Sequence, residues 1–136
     1  MDVFSAEQRS AVMRAVKSKG TKPEIKVRRL LYRAGYRYRL HRKDLPGNPD
    51  LVFPGRRSVI FVHGCFWHQH PGCPHAARPS SNNEYWMKKL DRNIERDKRN
   101  IASLAEEGWR VLVLWECELN SPRLLATVEN FLSAPR

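Results

Sequence analysis

Residues 63–75 read HGCFWHQHPGCPH, which sets His63, His68, His70 and His75 beside Cys65 and Cys73. Thiolates and imidazoles are the ligands zinc prefers, four at a time in a tetrahedron. Cys65, His70 and Cys73 supply three of them. Cys117, the remaining cysteine, ends the most apolar run of the chain and completes the set. A closed site of this kind pins a loop that has too few apolar residues to pack itself, so its role would be structural. On spacing alone His75 competes as a ligand, and unrelated thiols in a solvated loop are the bland alternative.

A second chemistry rests on carboxylates. Asp50 follows the turn cluster Leu45-Pro46-Gly47-Asn48-Pro49, and His63 closes the next apolar run. A carboxylate and a basic group at adjacent strand ends can hold a divalent cation beside a phosphate. An Asp in a Pro-rich turn also serves simply as a turn former. Further on, Trp86, Leu90, Ile94, Ile101 and Leu104 form a helical stripe with one slot missing, and Asp97 fills it. A carboxylate on an apolar face needs a partner. A loop histidine would make with it an oriented base, and an arginine would make a salt bridge. Lys89, Asn93 and Asp97 share one flank of that helix, either as a solvated face or as a working one. Phe66 and Trp67 interrupt the polar loop. Such residues fold back onto a core or, in a basic protein, wedge into a base stack. Met13 is open to the same two readings.

The elements that must position these groups follow from caps and periods. Ser5 with Gln8 is a capping box for a helix to about Ser18, stopped by Gly20. Thr21 with Glu24 caps a second helix, with Pro23 in its first turn and Gly35 at its end. Tyr36, Tyr38 and Leu40 alternate with Arg37 and Arg39, a strand period. Residues 51–53 and 58–63 read as strands around a turn at 54–57. Ser81 with Glu84 caps a long helix ending at Gly108. Residues 110–116 (RVLVLWE) are the most apolar strand and are expected at the centre of the sheet. Ser121 and Pro122 open a last helix through Leu132. Two helices, three strands, a loop, then helix, strand and helix make a mixed α/β domain. The last strand, reached by a helical crossover, should run parallel to its neighbour.

Composition agrees. At 136 residues one compact domain covers the whole chain, 1–136. A hydrophobic fraction of 41% can build a core, which excludes disorder throughout. No apolar run approaches a membrane span, and the first residues lack a secretory pattern, so a cytoplasmic place is expected. Lys and Arg number 25 against 14 Asp and Glu, a formal charge of +11. That excess favours a polyanionic partner, most simply nucleic acid.

Several segments together resemble the very short patch repair (Vsr-type) endonucleases of the restriction-endonuclease-like superfamily. They are SAVMRAVK (10–17), LPGNPDL (45–51), VIFVHGCFWHQH (59–70), NIERD (93–97) and GWRVLVLWEC (108–117). The resemblance runs from about Ser5 to Leu132. It implies a restriction-endonuclease-like mixed sheet flanked by helices, with a structural zinc and catalytic magnesium. It implies a monomer that nicks duplex DNA 5′ of the T in a T:G mismatch left by deaminated 5-methylcytosine. Bacterial nucleoid association and downstream repair proteins go with that activity.

Position by position, the resemblance makes Asp50 the magnesium carboxylate, helped by the Val62 backbone carbonyl. His63 stands where the superfamily usually has its Lys, and Phe61 where it has a second acid. His68 matches the active-site histidine, oriented by Asp97, and Glu24 matches an acid approaching from the second helix. Cys65, His70, Cys73 and Cys117 match the zinc ligands, with one residue inserted between His70 and Cys73. Phe66 and Trp67 match aromatics entering the stack from the major groove, and Met13 a wedge from the minor groove on a DNA-contacting helical arm. Lys89 and Asn93 match DNA contacts near the mismatch. Two rival classes remain at this level: a zinc-stabilised nucleic-acid binder without catalysis, and a hydrolase whose histidines hold a catalytic zinc.

Overall fold

The computed structural model describes residues 21–133, so the expected helix 5–18 and Met13 lie outside the described residues. Helix α1 spans Lys22–Arg33. Thr21 is extended and its hydroxyl accepts the Glu24 N–H at 3.4 Å, which satisfies one open donor of the first turn. Glu24, Val27 and Leu31 are buried together along one face. The strand expected over 36–40 is shorter: only Arg39–Leu40 pair, as β1. The tyrosines before it face helices instead, Tyr38 donating to the Arg28 carbonyl at 2.8 Å and Tyr36 to Glu129 at 3.4 Å. His41 then takes a left-handed φ of 49° and leaves the strand.

Strands β2 (Leu51–Phe53) and β3 (Ser58–His63) form the expected antiparallel hairpin through a turn at Pro54–Arg56. Helix α2 spans Asn83–Glu106, later than Ser81 suggested. Asn82 occupies the cap with φ 53° and no side-chain bond to the helix. Asn tolerates this left-handed geometry. Strand β4 is Arg110–Trp115, followed by a turn at Glu116–Glu118 that carries Cys117. Helix α3 is Leu124–Ser133, because the Ser121 hydroxyl accepts the Arg123 N–H and holds residues 121–123 as a turn.

The sheet order is β1-β2-β3-β4, antiparallel except for the parallel β3–β4 pair. The helical crossover makes β3 and β4 parallel as expected, but residues 110–116 do not take the expected central place. Among the described residues β4 is an edge strand and β3 has two strand neighbours. The apolar character of β4 comes from cover on both faces. Leu112 and Leu114 pack with Val27, Leu31, Val128 and Leu132 of α1 and α3. Val111 and Val113 pack with Ile101 and Leu104 of α2. Alternation along β3 is the same, with Ile60 in the first core and Val59 and Phe61 in the second. No helix among the described residues is long and apolar enough to cross a membrane.

Candidate active site and metal centre

Three groups of titratable side chains gather at the ends of these elements, each with its ligand-type atoms within 4.8 Å of one another. The first is Cys65, His70, Cys73 and Cys117. His70 Nδ1 lies 3.7 Å from Cys65 Sγ and 3.3 Å from Cys117 Sγ. A tetrahedral zinc with ordinary bond lengths places nitrogen and sulfur ligands about 3.5 Å apart, so this donor set fits zinc in chemistry and in spacing. Cys117 is exposed as a residue, yet its thiol is pushed up to about 12 by loss of solvent and then by the Cys65 and Cys73 thiols. Crowded thiols ionise together only when a cation neutralises them. His75 is exposed and does not join the group.

The second group is His63, His68 and Asp97. Asp97, in the gap of the α2 stripe, accepts from His68 Nδ1 at 2.7 Å. A carboxylate on Nδ1 fixes the neutral tautomer whose lone pair is on Nε2. His63 ends β3 and is buried, and its ring stacks on that of His68, centroids 3.8 Å apart and planes 6° from parallel. Burial, aided by His68, drives the His63 pKa down to about 3, so it is an uncharged imidazole at neutral pH. Its Nδ1 has no hydrogen-bond partner among the described residues. His63 is therefore grouped with His68 and not with Asp50.

The third group is Glu24, His41 and Asp50. The turn before Asp50 is tightly made: Gly47 and Asn48 both have positive φ, and a Cβ on Gly47 would stand 3.0 Å from Asn100 of α2. The Asp50 side chain turns back so that Oδ2 accepts the Val62 N–H at 2.7 Å. Burial and the nearby Glu24 carboxylate push the Asp50 pKa up to about 7, against the pull of that N–H. Glu24 comes from the buried face of α1, with its side chain only 2% exposed. It accepts from Arg28 at 3.3 Å and from His41 Nε2 at 2.9 Å. Two carboxylates crowded in this way offer hard oxygen ligands, which suit magnesium.

The loop between the first two groups carries the aromatic residues. Phe66 and Trp67 are half-buried and meet edge to face at 5.1 Å. Both contact Trp86 of α2, at 5.3 and 6.0 Å. The loop is braced from α2 as well: Asn93 Nδ2 donates to the Trp67 carbonyl at 2.8 Å, one helical turn from Asp97. Gln69 donates to the Phe66 and Ala76 carbonyls, and Arg78 joins Gln69 to Asp91. Lys89 is half-buried on the same flank of α2. Trp115 links two groups, with His70 stacked on it at 4.3 Å and His63 against its edge at 5.2 Å.

Sequence reasoning missed His41, Trp86 and Trp115 as parts of the site. The tryptophans sat at regular apolar positions of a helix and a strand, and His41 sat in the basic run RLHRK with no spacing to mark it.

A model of the family described as DNA mismatch endonuclease Vsr matches residues 1–73. The type II nicking enzyme V.XorIIP of Xanthomonas oryzae pv. oryzae is 57% identical over 132 residues, 96% of this chain and 96% of that protein. The type II nicking enzyme V.NmeAIP of Neisseria meningitidis serogroup A is 43% identical over 120 residues, 88% and 85% of the two chains. DNA mismatch endonuclease Vsr of Escherichia coli is 44% identical over 118 residues, 87% and 75% of the two chains.

Proposed function

The chain belongs to the DNA mismatch endonuclease Vsr family, a family of DNA hydrolases, and from that premise we propose a specific reaction. The protein nicks duplex DNA on the 5′ side of the T in T:G mismatches that arise from deaminated 5-methylcytosine. It does so as a monomer, with magnesium at the active site and zinc in the thiol group, on a restriction-endonuclease-like scaffold. Bacterial nucleoid DNA is its setting, and downstream repair proteins take over the nick. The observation that carries this reading is the loop 65–70, in which the aromatics Phe66 and Trp67 directly precede a histidine aligned on Asp97 at 2.7 Å.

His68 Nε2 accepts the proton of a water that attacks the phosphorus. Asp97 holds the ring in place and stabilises the imidazolium that forms. His63, uncharged beneath it, keeps the ring plane fixed without adding a competing charge. Asp50 and Glu24, with the Val62 carbonyl, would hold magnesium, which would supply positive charge to offset that developing on the phosphate and leaving oxygen. Cys65, His70, Cys73 and Cys117 would hold zinc and keep the loop rigid.

Selectivity follows from deformability. A mispaired step unstacks at lower cost than a paired one, so Phe66 and Trp67 enter there first. Met13 would wedge from the other groove, while Lys89 and Asn93 would contact the DNA near the mismatch. The excess of Lys and Arg supplies salt-sensitive phosphate contacts. The test is strand-resolved nicking of a panel of mismatched and paired duplexes with and without magnesium. The expected product is a single nick 5′ of T in the T:G duplex. Equal nicking of every duplex, or of none, overturns the reading.

A further inference from the structure

Glu24 and Asp50 come from parts of the chain that do not touch in sequence, one on α1 and one at the start of β2. Their carboxylates face each other out of bulk water. When both are ionised, two such groups repel, and the more mobile side chain swings away. Something must hold Glu24 on the Asp50 side before any cation arrives.

His41 occupies that place. It is the residue at which the chain leaves β1, in a left-handed conformation with φ 49°. Its backbone N–H reaches the Asp50 carbonyl at 3.4 Å, so its position is tied to the residue it serves. Its Nε2 lies 2.9 Å from Glu24 Oε1 and 3.9 Å from Asp50 Oδ1, between the two acids. Arg28 holds the other Glu24 oxygen from within α1 at 3.3 Å. Glu24 is thus held at both oxygens, and of these two partners His41 also faces Asp50.

We propose that His41 is a positioning residue for the divalent cation site: its Nε2–H holds the Glu24 carboxylate against Asp50 and so preorganises the pair of oxygen ligands. The inference rests on the proposed cation role of Asp50 and Glu24. Partners that orient metal ligands typically contribute about 10- to 100-fold to metal affinity. The effect of His41 should therefore appear in cation affinity more than in the rate at saturating cation.

The test uses the full-length protein and Mn2+ as the probe, with free Mn2+ followed by electron paramagnetic resonance in the absence of DNA. His41→Leu fills similar space without a donor, and His41→Gln keeps an N–H donor at about the same reach. His41→Leu should weaken Mn2+ binding roughly tenfold and raise the magnesium concentration for half-maximal nicking by a similar factor. The rate at saturating magnesium should fall less than about threefold, since His41 does not touch the reacting atoms. His41→Gln should recover both affinities to within about twofold. Unchanged Mn2+ affinity in His41→Leu overturns the proposal, as does a His41→Gln protein no better than His41→Leu. If His41→Leu melts early, His41→Ala replaces it in the same comparison. Asp50→Asn separates this failure from that of the underlying reading. If Asp50→Asn binds Mn2+ as wild type does, the cation site itself is misassigned. If it does not bind while His41→Leu binds normally, only the role of His41 falls.

Discussion

The thiol group and the carboxylate group of this protein both look like metal sites, yet they are built in opposite ways. Cys65, His70 and Cys73 lie within nine residues of one another on a single loop, and only Cys117 is brought from elsewhere. All four donors are soft or borderline, and together they fill a tetrahedron. Glu24, His41 and Asp50 come from three separate places in the chain and offer hard oxygens with a nitrogen between them. On the proposed reading the difference divides the labour: a site with four protein ligands holds structure, whereas one with fewer can also hold a substrate. Between them lies the His63–His68–Asp97 group, which belongs to neither and offers an oriented base.

The sharpest test of this division is Asp50→Asn. Nicking should fall by at least about a thousandfold, the scale of a lost metal ligand at a phosphate, while DNA affinity holds and melting temperature does not fall. A mutant that nicks near the wild-type rate breaks the assignment of the carboxylate group. Next come His68→Ala and Asp97→Ala, each expected to cost roughly 10²–10⁴-fold in rate. The double mutant should lose little more than His68→Ala, because an orienting carboxylate matters only while its histidine is present. Rate losses that simply multiply would separate the two residues.

Cys117→Ser should do the reverse of Asp50→Asn. Zinc content measured by metal analysis should drop from one per chain, and stability should fall by roughly 2–4 kcal/mol. The protein that remains folded should keep its catalytic rate. Full zinc in the mutant would remove the ligand after β4 from the site. Trp67→Ala should cut the mismatched-to-paired rate ratio by roughly 1–3 kcal/mol, the scale of one aromatic–base stack. If Trp67 only packs the core, melting temperature should fall instead and the ratio should stay constant.

The smallest effect is in pH. Without divalent cation, Asp50 titrates near 3.8 when unfolded and near 7 when folded. Between those values the folded state holds the extra proton, so this group lowers stability as pH rises. His63 titrates near 6.5 unfolded and near 3 folded, so it raises stability with pH across that window. The two oppose each other from about pH 4 to 6.5. Asp50→Asn removes one of them, and its melting temperature should climb with pH where that of wild type is nearly flat. The gain over wild type should be at least ~1 kcal/mol at pH 7 and vanish near pH 4. Parallel curves for the two proteins would show that Asp50 keeps an ordinary pKa.

Local pattern in the sequence determined much of this. Thr21 and Glu24 mark the start of α1, the apolar run at 58–63 after a turn marks β3, and the apolar stripe of α2 with its one acidic gap anticipates Asp97 against a loop histidine. These are short-range signals, because caps and periods act within a turn or a strand. The zinc-type spacing is equally local except at Cys117. The tertiary structure alone decided that β4 lies at the sheet edge among the described residues, since two covered faces and two strand neighbours produce the same apolar run. It also decided that His63 joins His68 and not Asp50, through ring stacking that no spacing encodes. Likewise, only the packing of α1 against the sheet brings Glu24, His41 and Asp50 together. Contacts between residues far apart in sequence depend on how elements pack, and packing is a property of whole faces that a linear pattern does not carry.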